Sequence, residues 1–157
     1  MKLWVHDRRL WVEYEASKVG LENDDIAQFM IDRLPGIELH AVRADSARPE
    51  TISHVKSKGR DHKRANLPRI EPVAKWQGSV EDGIAHLRSY VEIVIHVRCT
   101  GFLREARLYS YKVDRLTGDV LAEIIDKNNH FMDASRYALG PLIKRRGAVG
   151  MLLPGAR

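Results

Sequence analysis

Apolar and polar residues alternate at the start of the chain. In "KLWVHD" and "RRLWVEYEA" this places Leu3 and Val5 on one face and Trp4 and His6 on the other, which predicts a β-hairpin. The period then lengthens. Ile26, Phe29, Met30 and Leu34 recur at helical spacing, with Asn23 or Asp24 as N-cap and Pro35-Gly36 as a stop. "IELHAVRADS" reads as a strand ending at Asp45, and Arg48-Pro49 turns into a short helix, "ETISHVKSKG", closed by Gly59. "RIEPVAKW" reads as a strand that Pro72 pushes toward an edge. "GSVEDGIAHLRSY" is a helix with Ser79 as N-cap and Glu81 and Asp82 in its first turn. "VEIVIHV" is a β-branched strand, "TGFLREARLYS" a helix, and "LYSYKVDRLTGDVLAEIID" a hairpin turning at Thr117-Gly118. "DKNNHFMDASRYALGP" is the last helix. Strands and helices alternate through the middle with hairpins at both ends, which predicts an α/β domain with a mixed sheet flanked by helices. There is no internal repeat and no dividing linker, so residues 1–157 read as a single domain.

The length fits one core, and 44% hydrophobic with 30% charged residues is ordinary for a soluble globular protein. No apolar run approaches the ~20 residues that cross a bilayer, so no membrane role is expected. The alternating, charged N-terminus is not a signal peptide. Cys99 stands alone, which excludes a disulfide framework and a cysteine zinc site, and the chain reads as intracellular. The net charge of +5 is unevenly spread: Lys56, Lys58, Arg60, Lys63, Arg64 and Arg69 face only Asp61 between positions 56 and 69. Such a loop suits contact with a polyanion, although a solvated loop that happens to be basic has the same composition. There is no G-x-x-x-x-G-K-[ST] loop, so ATP hydrolysis is not expected. His40, His54, His62, His86 and His96 show no paired metal spacing, and His96 reads as a core or edge residue.

On a helical wheel the last helix places Phe131, Met132, Ser135, Ala138 and Leu139 on one packing face. His130, Asp133 and Tyr137 fall together beside it, with Asn128 or Asn129 as N-cap and Gly140-Pro141 as the end. An acidic residue in a first turn is also simply helix-stabilising, and a histidine there can be plain surface. Asp45 adds weight to the other reading. It is delivered to the carboxyl end of a strand, where open α/β sheets gather their ligands, although a capping or turn-forming role suits it as well. Should the last helix pack across the sheet, Asp45, Asp133 and His130 would form an oxygen-rich site suited to Mg²⁺ or Mn²⁺. Beside a basic surface, the matching chemistry is phosphodiester hydrolysis.

Four segments, "ADSARPETISHVKSKG", "KWQGSVEDGIAHLRSYVEIVIH", "LYSYKVDRLTGDVL" and "DKNNHFMDASRYAL", together resemble the C-terminal nuclease domain of the large terminase subunit of tailed bacteriophages. The resemblance runs in order from about Leu10 to Leu139. It implies a ribonuclease H-like fold, two divalent metals in an acidic cluster, and cleavage of concatemeric double-stranded DNA during genome packaging in the cytoplasm of a bacterial host. Carried over by motif, Asp45, His130 and Asp133 match the metal ligands and catalytic residues, and the hairpin from Tyr109 to Ile125 matches the one near the family's active site. Lys56, Lys58, Arg60, Lys63 and Arg64 would contact DNA. So would Lys75, which alone keeps the basic character of the family's Lys-Gly-Lys stretch. Implied partners in the complete system are a terminase ATPase domain, the small terminase subunit and the portal. One departure matters: the family's first strand, with another catalytic Asp in a D-x-G-x-x-x-D-P-T-like stretch, is expected to be missing here, as is the ATPase domain. Glu13 and Glu15, alternate residues on one strand face, are the carboxylates considered in its place. The other reading is a non-catalytic DNA-binding or motor-docking module from a degenerate prophage.

Overall fold

The computed structural model describes residues 1–58, 63–124 and 129–143, without side-chain detail for 122–124. Strands β1 (Lys2–His6) and β2 (Arg9–Tyr14) form the expected antiparallel hairpin, with Asp7 and Arg8 both at positive φ in its two-residue turn. Alternation decides which side packs. Leu10 and Val12 are buried, whereas Trp4 and Trp11, opposite each other in the ladder, remain 47% and 43% exposed. Helix α1 (Ile26–Arg33) follows a 3₁₀ turn at Asn23–Asp25 and ends before Gly36, whose φ of 75° only glycine adopts without cost.

Residues Ile37–Leu39 then form a second 3₁₀ turn, so strand β3 is only Val42–Ala44, shorter than the alternation suggests. Helix α2 (Pro49–Lys56) ends with Ser57 N–H donating to the Ser53 carbonyl at 3.2 Å. Gly59, its expected terminator, lies outside the described residues. Among the described residues, strand β4 (Ile70–Pro72) pairs in parallel with β3 alone, an edge position that tolerates Pro72. Helix α3 (Ser79–Arg88) is capped by Gly78 at φ 82°, not by Ser79. Strand β5 (Glu92–Ile95) runs parallel to β2; His96 follows it, exposed at the sheet's edge and bonded by Arg98. Helix α4 (Thr100–Leu108), a hairpin of β6 (Tyr111–Val113) and β7 (Val120–Ile124) turning through Gly118, and helix α5 (His130–Leu139) complete the order.

The mixed sheet is therefore β1-β2-β5, while β3-β4 and β6-β7 stand as separate pairs. Among the described residues, every strand except β2 keeps one edge without a strand partner. Two apolar clusters result. One joins α1 and α2 to β3 and β4 through Ala27, Leu34, Val42, Ile52, Val55 and Ile70. The other joins the hairpin to α3, α4 and α5 through Leu10, Val12, Leu87, Phe102, Met132 and Leu139. Helix α5 contacts β3, α3 and α4, and so spans both.

Two carboxylates fix the approach of these helices. Glu15, just past β2, accepts the N–H groups of Gly101 and Phe102, each at 2.7 Å, at the start of α4. Glu105, on α4 and 5% exposed, accepts those of Phe131 at 2.6 Å and Met132 at 3.2 Å at the start of α5. Each satisfies two of the donors that a helix leaves unpaired, in the position its dipole favours. Glycines let α5 come close: a Cβ on Gly101 would collide with the Phe131 ring, and one on Gly83 would lie 2.7 Å from Arg136 Cδ. The packing face of α5 also differs from the wheel. Met132, Ser135 and Leu139 are buried as expected and Phe131 is half-buried, but Ala138 is exposed and Arg136 is inside. Arg136 turns inward because Asp133, one turn before it, receives its guanidinium.

Glu105→Ala is expected to lower stability by about 2–3 kcal/mol, because two helix donors and a buried site are deprived of their charged acceptor. Exposed Glu81→Ala is expected to cost under about 0.5 kcal/mol. Urea denaturation followed by circular dichroism compares the two. Equal small effects would mean that the Glu105 bonds do not hold α5.

Candidate metal centre

Asp45 follows β3 directly, at the carboxyl end where the strand's last paired residue, Ala44, also accepts the Val73 N–H at 2.8 Å. Its carboxylate performs the turn-forming role, with Oδ1 accepting the Ala47 N–H at 2.9 Å. It does more than that. Oδ1 also accepts Lys75 Nζ at 2.6 Å, and Oδ2 accepts the Tyr137 hydroxyl of α5 at 3.1 Å. Helix α5 thus crosses the end of β3, bringing one of its own side chains onto Asp45.

Asp133 lies one helical turn before Tyr137 and holds the Arg136 guanidinium. Its own N–H closes the first turn onto the Asn129 carbonyl at 2.8 Å, with Asn129 as N-cap; Asn128 lies outside the described residues. His130 is the first residue of α5 and is exposed. Its backbone placement is secure because Glu105 holds the two N–H groups that follow it.

The electrostatics tie these groups together. Lys75, then the Ala47 N–H and Tyr137 hydroxyl, hold the Asp45 carboxyl below its ordinary range. Asp45 in turn raises Lys75. Burial, then the hydrogen bond to Asp45, raises the Tyr137 hydroxyl, and the charge of Asp133 pushes the same way. Both carboxylates thus act on Tyr137 in the same direction. Each carboxylate keeps a cation beside it, and among the described residues no three His, Cys, Asp or Glu side chains form one metal-binding group. The donor types themselves suit a hard divalent ion: Asp45 stands at the end of β3, and Asp133 and His130 are carried on α5.

The remaining sequence candidates divide. Glu13 accepts the Trp4 ring N–H and pairs with Lys2 at 3.6 Å, and Glu15 caps α4, so both are engaged away from Asp45. Lys56, Lys58 and Lys63 lie on the exposed surface beside α2. Arg64 turns inward, its guanidinium reaching Asp24 at 2.9 Å, the His54 carbonyl at 2.9 Å and the Ser57 carbonyl, so it ties itself to the end of α2 and to Asp24. Arg60 and the end of the long hairpin at Ile125 lie outside the described residues.

No helix of the described residues is long and apolar enough to cross a membrane. A sequence profile described as "Terminase RNAseH like domain" matches residues 1–140. The terminase large subunit of Bacillus phage SPP1 is 35% identical over 105 residues, 66% of this chain but 23% of that protein. The crystal structure of the g2p (large terminase) nuclease domain from bacteriophage SPP1 with bound Mn superimposes with a TM-score of 0.76 at 28% identity. That match covers 90% of this chain and 76% of the solved one. The fold is thus ribonuclease H-like, as the family resemblance implied, and with the profile reaching from residue 1 to 140 the chain belongs to the terminase RNase H-like domain family.

Proposed function

We infer that this chain is the metal-dependent endonuclease part of a phage packaging terminase and cleaves concatemeric double-stranded DNA. The observation that carries this reading is the meeting of α5 with the end of β3, where Tyr137 links Asp45 to the helix that bears Asp133 and His130. The SPP1 nuclease domain, which has the same fold, was solved with bound Mn, and this supports a divalent ion here.

Asp45, Asp133 and His130 would hold Mg²⁺ or Mn²⁺, two ions in a complete site. Bound there, the ions supply an activated water and charge stabilisation at the departing oxygen. The chain's own residues do the rest. Asp45 and Asp133 supply negative charge from firmly held elements, α5 being fixed by Glu105 and the two close-approach glycines. The exposed lysines Lys56, Lys58 and Lys63, together with Lys75, would hold phosphates, contacts that read no bases and make cleavage sequence-independent. A terminase ATPase domain, the small subunit and the portal are the partners this role requires, and the bacterial cytoplasm is its place of action.

A second reading is a DNA-binding or motor-docking module without chemistry. It is favoured by one observation: both carboxylates already carry internal cation partners, Lys75 and Arg136. Plasmid nicking separates the two. With Mn²⁺ the protein is expected to nick supercoiled DNA, EDTA to stop it, and Asp133→Ala to slow it by roughly 100-fold or more, beyond the loss usual for an outer-shell partner. DNA binding with no metal-dependent nicking would support the module instead.

The lysines are tested separately by salt. Replacing Lys56, Lys58 and Lys63 with alanine is expected to flatten the plot of log affinity against log salt by about 0.9 for every phosphate that is no longer neutralised. An unchanged slope would place DNA on another face.

A further inference from the structure

Asp45 has an unusual set of partners for a residue whose side chain is 45% exposed. Both of its oxygens are occupied, Oδ1 by Lys75 Nζ and the Ala47 N–H and Oδ2 by Tyr137. Lys75 is held at this position from both sides. The Val73 N–H extends the β3–β4 pairing to the Ala44 carbonyl at 2.8 Å, and Trp76 donates its ring N–H to Asp82 at 2.8 Å, pinning the neighbouring residue to α3. Between these anchors the Lys75 side chain lies along Tyr137, with Nζ 5.4 Å from the ring centre. Asp133 is treated differently. Its partner Arg136 is 7% exposed and packed among helices, whereas the Lys75 side chain is 43% exposed on a flexible stem.

We propose that Lys75 is the exchangeable resident cation of this centre: it neutralises Asp45 when no divalent ion is bound, and yields Asp45 to the ion to become a phosphate contact. This rests on the metal-dependent nuclease reading above. An ion such as Mg²⁺ bonds a carboxylate oxygen at about 2.0–2.1 Å, nearer than the ammonium's 2.6 Å. The two cannot share Oδ1 without pressing like charges together. Arg136 has no open side through which to leave, but Lys75 does. An exposed ion pair adds little to stability, so the pairing is inexpensive to break. Once displaced, the ammonium stays beside Tyr137 with three donors available to a phosphate oxygen. Metal and DNA binding are then coupled through one side chain, and each raises affinity for the other by the same factor.

Calorimetric titration of Mn²⁺ into the DNA-free protein tests the first half. Lys75→Met is expected to bind Mn²⁺ roughly tenfold more tightly than wild type, the scale on which one neighbouring charge acts. Lys75→Arg is expected to bind no more tightly than wild type. Anisotropy with a nuclease-resistant duplex tests the second half: Mn²⁺ should raise wild-type affinity several-fold, and Lys75→Met should abolish that gain. The proposal is overturned if Lys75→Met binds Mn²⁺ no better than wild type, or if its DNA affinity still rises with metal. Mn²⁺-dependent nicking that persists beside such a result removes Lys75 alone. No Mn²⁺ binding by any variant removes the metal-nuclease reading as well.

Discussion

The placement of the site depends on a relay of two carboxylates. Glu15, at the end of the N-terminal hairpin, receives the first N–H groups of α4, and Glu105, one residue beyond mid-α4, receives those of α5. A helix start is where unpaired donors and a partial positive charge coincide, so an anion from the preceding element fixes both position and direction. Hairpin, α4 and α5 are thereby set in series. His130 and Asp133 inherit their location from bonds that begin at residue 15.

Charge balance governs the centre itself. Lys75 pairs with Asp45, which accepts the Tyr137 hydroxyl, and the buried Arg136 pairs with Asp133. Neither carboxylate is left to repel the other. The arrangement has a cost: Arg136 Nε is buried without a partner, a group that would ordinarily be satisfied. The guanidinium is nevertheless kept inside, with its Nη2 aimed at Asp133. Each carboxylate is thus held in place by a cation of the chain itself.

Much of this was legible in the chain. The alternation around Trp4 and Trp11, the helical spacing of Ile26, Phe29 and Met30, and the i, i+3 pair His130 and Asp133 all follow local periodicities, which the structure keeps. Asp45 could be found because a polar residue ended an apolar strand. The misses are non-local. Glu15 and Glu105 bind backbone N–H groups 86 and 26 residues away, and no side-chain pattern announces such a bond. The wheel put Ala138 on the packing face and did not include Arg136, since it weighs hydrophobicity and not the ion pair that draws Arg136 inward. Ser79 yields its capping place to Gly78, whose positive φ no composition rule had required. The division of the strands into three sheets likewise depends on pairing between distant segments.

The two apolar clusters have a mechanical consequence. Asp45 belongs to the body built on α1, α2, β3 and β4, while Asp133 rides on α5, whose Met132 and Leu139 are rooted in the other. The Asp45–Tyr137 hydrogen bond is one of the ties across that seam. How the two clusters sit against each other therefore sets the gap between the carboxylates, a distance that neither cluster fixes alone.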